Sequence, residues 1–157
     1  MVRGVRSRMH FAVAIDGSDE SDRALDHAVE LATAAGGAVT AVHSVDPDVY
    51  DTGGAEPPAD RAEYDDRLIV ESVDDAERRG ERLLDDAVER AAAAGLEVDT
   101  ELLYGDPVRT IPEFATAEGY DGVFVGHRGL SAAQERVLGS VAKGVVERSS
   151  LPVTVVR

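Results

Sequence analysis

Gly126-His-Arg-Gly129, then nine residues, then Gly139-Ser140 follow directly on the apolar, β-prone run Val123-Phe-Val125. This order places side-chain-free backbone and a hydroxyl where a strand hands over to a helix. Main-chain N–H groups at such a junction point outward, the helix start is partly positive, and glycine lets an anion come close. The chemistry that suits the arrangement is the seating of phosphate. A second candidate, Asp16, follows the apolar run Phe11-Ala-Val-Ala-Ile15. Its carboxylate can accept hydrogen bonds from a ligand or serve simply as a turn residue.

Other chemistries fit less well. A conventional P-loop needs Gly-x4-Gly-Lys-Ser/Thr, whereas the sole lysine, Lys143, falls within the last predicted helix. A pyrophosphatase-type loop is disfavoured because Asp16-Gly-Ser-Asp-Glu20 crowds carboxylates after the first strand. No cysteine is present, and His10, His27, His43 and His127 match no zinc spacing. The pairs Asp65-Asp66, Asp74-Asp75 and Asp85-Asp86 read as solvated surface. No nucleophile–base pair stands out.

The elements that would hold these residues alternate in type. Residues 11–15 form a continuous apolar strand, and Ser18 caps a helix with Ala24, Ala28, Leu31, Ala32 and Ala35 on one face. Gly36-Gly37 ends it, and a second strand starts over 38–42. Residues 46–66, rich in proline, glycine and carboxylates, read as a long mobile loop. A long amphipathic helix from Val73 to Ala94 is closed by Gly95, and alternation over 96–102 marks a half-exposed strand in an outer position. Gly105-Asp106-Pro107 reads as a turn and helix start, with Pro112 expected to kink that helix or mark its true beginning. A fourth strand over 121–125, a helix over 137–147 and a last strand over 151–156 complete an open parallel α/β sheet with helices on both faces. The last strand is apolar nearly throughout. At an edge it would template a second copy, giving a homodimer through Val153–Val156; mid-sheet it would not.

Composition sets the limits. With 157 residues the chain is expected to be one domain over 9–157 after a flexible tail over 1–8, with Met1 or Met9 as the true start. Aromatics are 4% of residues, so the core must be built from aliphatic side chains. The net charge of −15, with arginine in place of lysine, suggests a salt-rich cytoplasm; an ordinary acidic protein is the alternative. So acidic a surface argues against nucleic acid and anionic membranes as partners. There is no apolar run of about 20 residues and no apolar stretch after the basic opening, so the expected location is cytoplasmic.

Together these features resemble the universal stress protein family over residues 9–157. The resemblance is carried by Asp16, by Gly105-Asp106-Pro107, and by Gly126-x2-Gly129-x9-Gly139-Ser140 with Arg128-Gly-Leu-Ser131 and Leu151-Pro-Val153. In that family the glycine spacing marks the members that bind ATP. The resemblance implies a five-stranded sheet of order 3-2-1-4-5, the adenine nucleotide alpha hydrolase-like arrangement. It further implies that Asp16 accepts bonds from ribose hydroxyls and that the backbone at Val39 reads the adenine edge. Ala14, Ile15 and Val39 would lie near the base. Gly126, His127, Arg128, Gly129, Gly139, Ser140 and Val141 would wrap the phosphates.

Simpler roles stand beside these. Ser140 could act as a helix cap, Gly129 could relax a loop, His127 could be solvated or stacking, and Arg128 and Arg136 could pair with carboxylates. Ala142 stands where relatives often carry a hydroxyl, which removes one phosphate contact of about 1 kcal/mol. The resulting expectation is an ATP-binding, homodimeric stress regulator or chaperone-like protein that acts on an unidentified protein partner. AMP or another adenine nucleotide is the alternative ligand, with Mg as the accompanying ion. Two alternatives remain: a slow ATPase or autophosphorylating enzyme, and an interaction module that binds no nucleotide.

Overall fold

The structure, a computed structural model, describes residues 8–47, 72–128 and 138–157. In chain order the elements are β1 (His10–Ala14), α1 (Asp19–Ala35), β2 (Ala38–Val45), α2 (Val73–Ala93), β3 (Asp99–Tyr104), α3 (Pro107–Ala117), β4 (Gly122–Gly126), α4 (Ser140–Arg148) and β5 (Val153–Val156). The strands form one sheet of order β3-β2-β1-β4-β5, with every neighbouring pair parallel. This is the order that the resemblance implied.

Alternation along the central strands sorts the helices into two layers. Phe11, Val13 and Ile15 face one side with Phe124, packed against Ala24, Leu25 and Ala28 of α1 and Leu84, Ala87 and Ala91 of α2. Ala12, Val42, Val123 and Val125 face the other side, against Ile111 and Ala115 of α3 and Ala142 and Val145 of α4. Small residues let the layers close tightly. An added Cβ at Gly144 would press on Val108 where α3 and α4 cross, with Val108 Cγ2 2.7 Å away.

Local signals set most boundaries. Ser18 caps α1 by accepting from Ser21 N at 3.1 Å, and Gly36 closes that helix at φ 68°. Two boundaries differ from expectation, and a third matches it. β3 begins at Asp99, and the preceding Val98 is buried outside the ladder. α4 begins at Ser140 with Gly139 as its N-cap, so Ser140 is the first helical residue and not the cap. α3 starts at Pro107, as Asp106 accepts from Val108 N at 3.1 Å, and continues unbroken through Pro112. Core burial of Ile111 and Ala115 on either side outweighs a local cost of about 3 kcal/mol for an interior proline. Apart from Asp46 and Pro47, the 46–66 segment lies outside the described residues, as do Gly129, Arg136, Val137 and nearly all of the 1–8 tail.

Candidate functional site

β1 is flanked by β2 on one side and β4 on the other, so the chain order reverses direction across the β1–β4 boundary. Open α/β sheets offer a crevice at the carboxyl ends of the strands at such a boundary. Asp16 lies just beyond β1, and Gly126 ends β4.

The Asp16 turn is built from hydrogen bonds within a short stretch. Asp16 Oδ1 accepts from Ser18 N at 2.9 Å and from Ser18 Oγ at 2.5 Å. Gly17 takes φ 85°, which glycine adopts without strain. Oδ2 of Asp16 has no hydrogen bond among the described residues, so the turn role leaves one carboxylate oxygen for a ligand. Ala14 and the buried Ile15 bring the chain to this point.

The opposite wall is the start of α4. Gly139 N donates to His127 O at 2.8 Å, and His127 N donates to Val156 O at 2.6 Å. These bonds fix the helix start against the ends of β4 and β5. The first bond within the helix is Lys143 N to Gly139 O, 2.9 Å, and no side chain caps the terminus. Among the described residues nothing accepts from the N–H groups of the first turn, at the positive end of the helix dipole, and Ser140 and Val141 are exposed there. Ala142 is buried against the sheet, so its side chain faces away from this opening. His127 is also buried, at 7% exposure, which removes the solvated one of the two simple roles, solvated or stacking, open to it.

One expected site residue lies elsewhere, and another, Gly126, also serves packing. Val39 pairs with Phe11, while Ala14 pairs with Val42, so Val39 lies near the opposite end of the sheet from Asp16. It is a core residue at 1% exposure and cannot read a base held at the carboxyl ends. At Gly126 the side on which a Cβ would stand faces the first turn of α1 and not open space. An added Cβ would come within 2.8 Å of Glu20 Cβ, 2.9 Å of Glu20 C and 3.0 Å of Ser21 N. Its lack of a side chain lets the first turn of α1 settle on the end of β4.

Residues not anticipated stand at the carboxyl end of β2. Val42 O accepts from Ile15 N at 2.8 Å on the β1 side, and Val45 O accepts from Gly105 N at 2.8 Å on the β3 side. Main-chain groups alternate between the two edges of a strand, so Ser44 presents its N–H and C=O toward β1, past the point where β1 has turned away. Its hydroxyl is engaged elsewhere, with Gly105 O at 2.7 Å and Thr110 Oγ1 at 2.9 Å. His43, beside it, is buried on the α2 side, with Nδ1 2.6 Å from Ile15 O. A carbonyl can only accept, so Nδ1 carries the proton. Burial pushes the His43 pKa down, against the opposing pull of the Ile15 carbonyl and Asp16, with Arg79 adding to the depression. The sequence signal for this pair was the continuation of the β2 pattern beyond Val42.

Charge at the mouth is mixed. Arg128 Nη2 donates to Glu20 Oε1 at 3.1 Å, with side-chain exposures of 19% and 15%. Arg23 reaches the same oxygen at 3.4 Å and also donates from Nε to Arg157 O at 2.8 Å. Of the two roles open to Arg128, this geometry shows the carboxylate pair. Asp22, one turn into α1, has its pKa raised by burial and by Asp26, Asp19 and Asp16 around it, with Arg90 opposing. No group of three or more His, Cys, Asp or Glu residues among the described residues could hold a metal ion. A hollow of about 460 Å³ beside α3, lined by Arg109, Pro112, Glu113, Thr116, Ala117 and Arg148, shares no residue with this corner.

No helix among the described residues is long and apolar enough to cross a membrane. The chain is 34% identical over 145 residues to the universal stress protein YxiE of Bacillus subtilis, covering 92% of this chain and 96% of that one. A universal stress protein solved in complex with cAMP is similar at 27% identity and TM-score 0.65, over 96% of this chain and 97% of that chain. The universal stress protein of Archaeoglobus fulgidus in complex with dAMP is similar at 26% identity and TM-score 0.64, over 95% and 98%. The universal stress protein family model matches residues 8–157, and the chain belongs to that family.

Proposed function

We propose that this protein binds an adenine nucleotide, with ATP as the first candidate, in the corner between β1, β4 and α4. One observation carries the reading: at the carboxyl ends of the strands, a helix start with no side-chain cap, tied by Gly139 N to His127 O, and an aspartate with one carboxylate oxygen unengaged, both among the described residues. Oriented N–H groups at a helix start suit phosphate, and the free Asp16 oxygen suits a ribose hydroxyl. The Ser44 main chain, in place of Val39, offers an N–H and a C=O to a base edge. The similar proteins solved with cAMP and dAMP support the adenine class. Bound nucleotide acts as a regulatory signal read by a partner protein, and the protein works as a homodimer paired through β5, the uncovered apolar edge. An acid-rich, arginine-biased surface fits a salt-rich cytoplasm.

The test uses a substitution that the helix tolerates. Ser140→Pro places proline at the first helical position, where its fixed φ suits the helix, and Gly139 at ψ 154° already has the extended backbone that precedes proline. The variant loses one N–H and one hydroxyl. Calorimetric titration in high salt with ATP, AMP, cAMP and adenosine, with and without Mg, should show wild-type binding. Ser140→Pro should weaken ATP about tenfold and leave adenosine unchanged. A folded wild type that binds none of the four overturns the proposal. Loss of ATP with time in the same samples would favour the hydrolytic alternative.

A further inference from the structure

The contact between Glu20 and Arg128 joins the first turn of α1 to the residue that follows His127. Both side chains are more than four-fifths buried, which sets the pair apart from the half-exposed Arg90–Asp26 pair at 45% and 50%. Glu20 is held in place from three directions. The main chain at Gly126 lies against its Cβ and carbonyl carbon, Arg23 approaches its Oε1, and Ser18 and Ser21 lock the turn beneath it. Among the described residues the partner of Arg128 is Glu20, and Arg128 directly follows His127, whose carbonyl anchors the start of α4. Among the described residues, a cation next to the proposed phosphate seat is thus held by a rigid carboxylate.

We propose that Glu20 is a positioning residue that competes with the ligand for Arg128. Resting on the nucleotide reading above, the inference is that an anionic phosphate takes the guanidinium from Glu20. The ion pair then sets how strongly affinity depends on phosphate charge. A guanidinium can exchange one oxyanion partner for another with the same donor geometry, so the swap requires no new chemistry. Arg23, bonded to the Arg157 carbonyl, remains beside Glu20 after the swap and keeps its charge compensated. The first turn of α1 therefore does not have to move.

The experiment is a double-mutant cycle read by ATP and adenosine affinity. Glu20→Gln should tighten ATP binding about five- to tenfold and leave adenosine within about twofold, since adenosine carries no anion to recruit the arginine. Asp19→Asn makes the same charge change one residue away on an exposed side chain and should shift ATP by no more than about twofold. In the Arg128→Met background the gain from Glu20→Gln should vanish. Thermal melts without ligand report whether each variant is folded. A gain that persists without Arg128, a gain equalled by Asp19→Asn, or no gain from folded Glu20→Gln overturns the inference. Failure of the wild type to bind either ligand is a different result, which removes the nucleotide reading and this one with it.

Discussion

Asp16 makes two demands of one side chain. Its Oδ1 holds Ser18 in the turn, and its Oδ2, without a hydrogen bond among the described residues, is the atom proposed to meet a ligand. Asp16→Asn keeps an oxygen that can accept from Ser18 and converts the other position to a donor. Melting temperature should stay within about 3 °C of wild type, while affinity for an adenine nucleotide falls about tenfold. Equal losses of ligand affinity and stability would mean that the residue only builds the turn. His43 belongs to the same scale. Its folded pKa lies below the free imidazole value of about 6.5, so the unfolded chain binds more protons as pH falls past that value. The stability it contributes is complete above about pH 6.5 and is lost as pH falls toward its folded pKa; His10, depressed mainly by burial, acts in the same direction. Denaturant midpoints should therefore drop between pH 7 and 5, and His43→Gln should flatten that slope. An unchanged slope would remove His43 from the account.

At the level of elements, helix packing and strand edges make separate demands. Gly144 lets α4 approach α3 at Val108, whose branched side chain an added methyl would press on. Gly144→Ala should cost about 1–3 kcal/mol by overpacking, and Val108→Ala in the same chain should recover most of it. Chemical denaturation of the four variants reads this directly, and additive losses would refute the contact. The two sheet edges differ in chemistry. β3 presents Asp99 and Glu101, charges that discourage pairing, whereas β5 carries valines. Pro152 O and Val156 O both bond toward β4, so by alternation the N–H and C=O of Val155 face the open side. Val155→Pro removes that outward donor and spares the β4 ladder. If β5 pairs with a second copy, sedimentation should show dimer for wild type and monomer for the variant. An unaltered dimer would place the interface elsewhere.

The whole molecule carries 31 acidic against 16 basic residues, a net charge of −15. Exposed ion pairs such as Arg90–Asp26, which holds α2 to α1 with two bonds of 2.7 Å, are worth at most about 1 kcal/mol each. They cannot offset repulsion summed over the surface. Salt shortens the screening length from about 10 Å at 0.1 M to about 3 Å at 1 M, which weakens those few pairs but relieves the more numerous repulsions. Melting temperature should therefore rise steadily with KCl across that range. A flat or falling profile would show that local pairs dominate.

Period-two runs, helix caps and glycine stops act within a few residues of chain, which is why the α/β alternation, the Ser18 and Asp106 caps and the outer place of β3 could be read without coordinates. The end of β4 at Gly126 and the glycine-led start of the following helix at Gly139 were legible for the same reason, since each is signalled by its own few residues. Register is different. Pairing His10 with Ala38 depends on how two strands slide past one another across the α1 crossover, and nothing local distinguishes Val39 from Ser44 as the residue level with Asp16. The role of Gly126 was equally hidden, since the atoms that need its missing side chain belong to Glu20 and Ser21, more than a hundred residues earlier. Short-range stereochemistry wrote the elements into the chain. Long-range packing alone chose which of their residues meet at the corner.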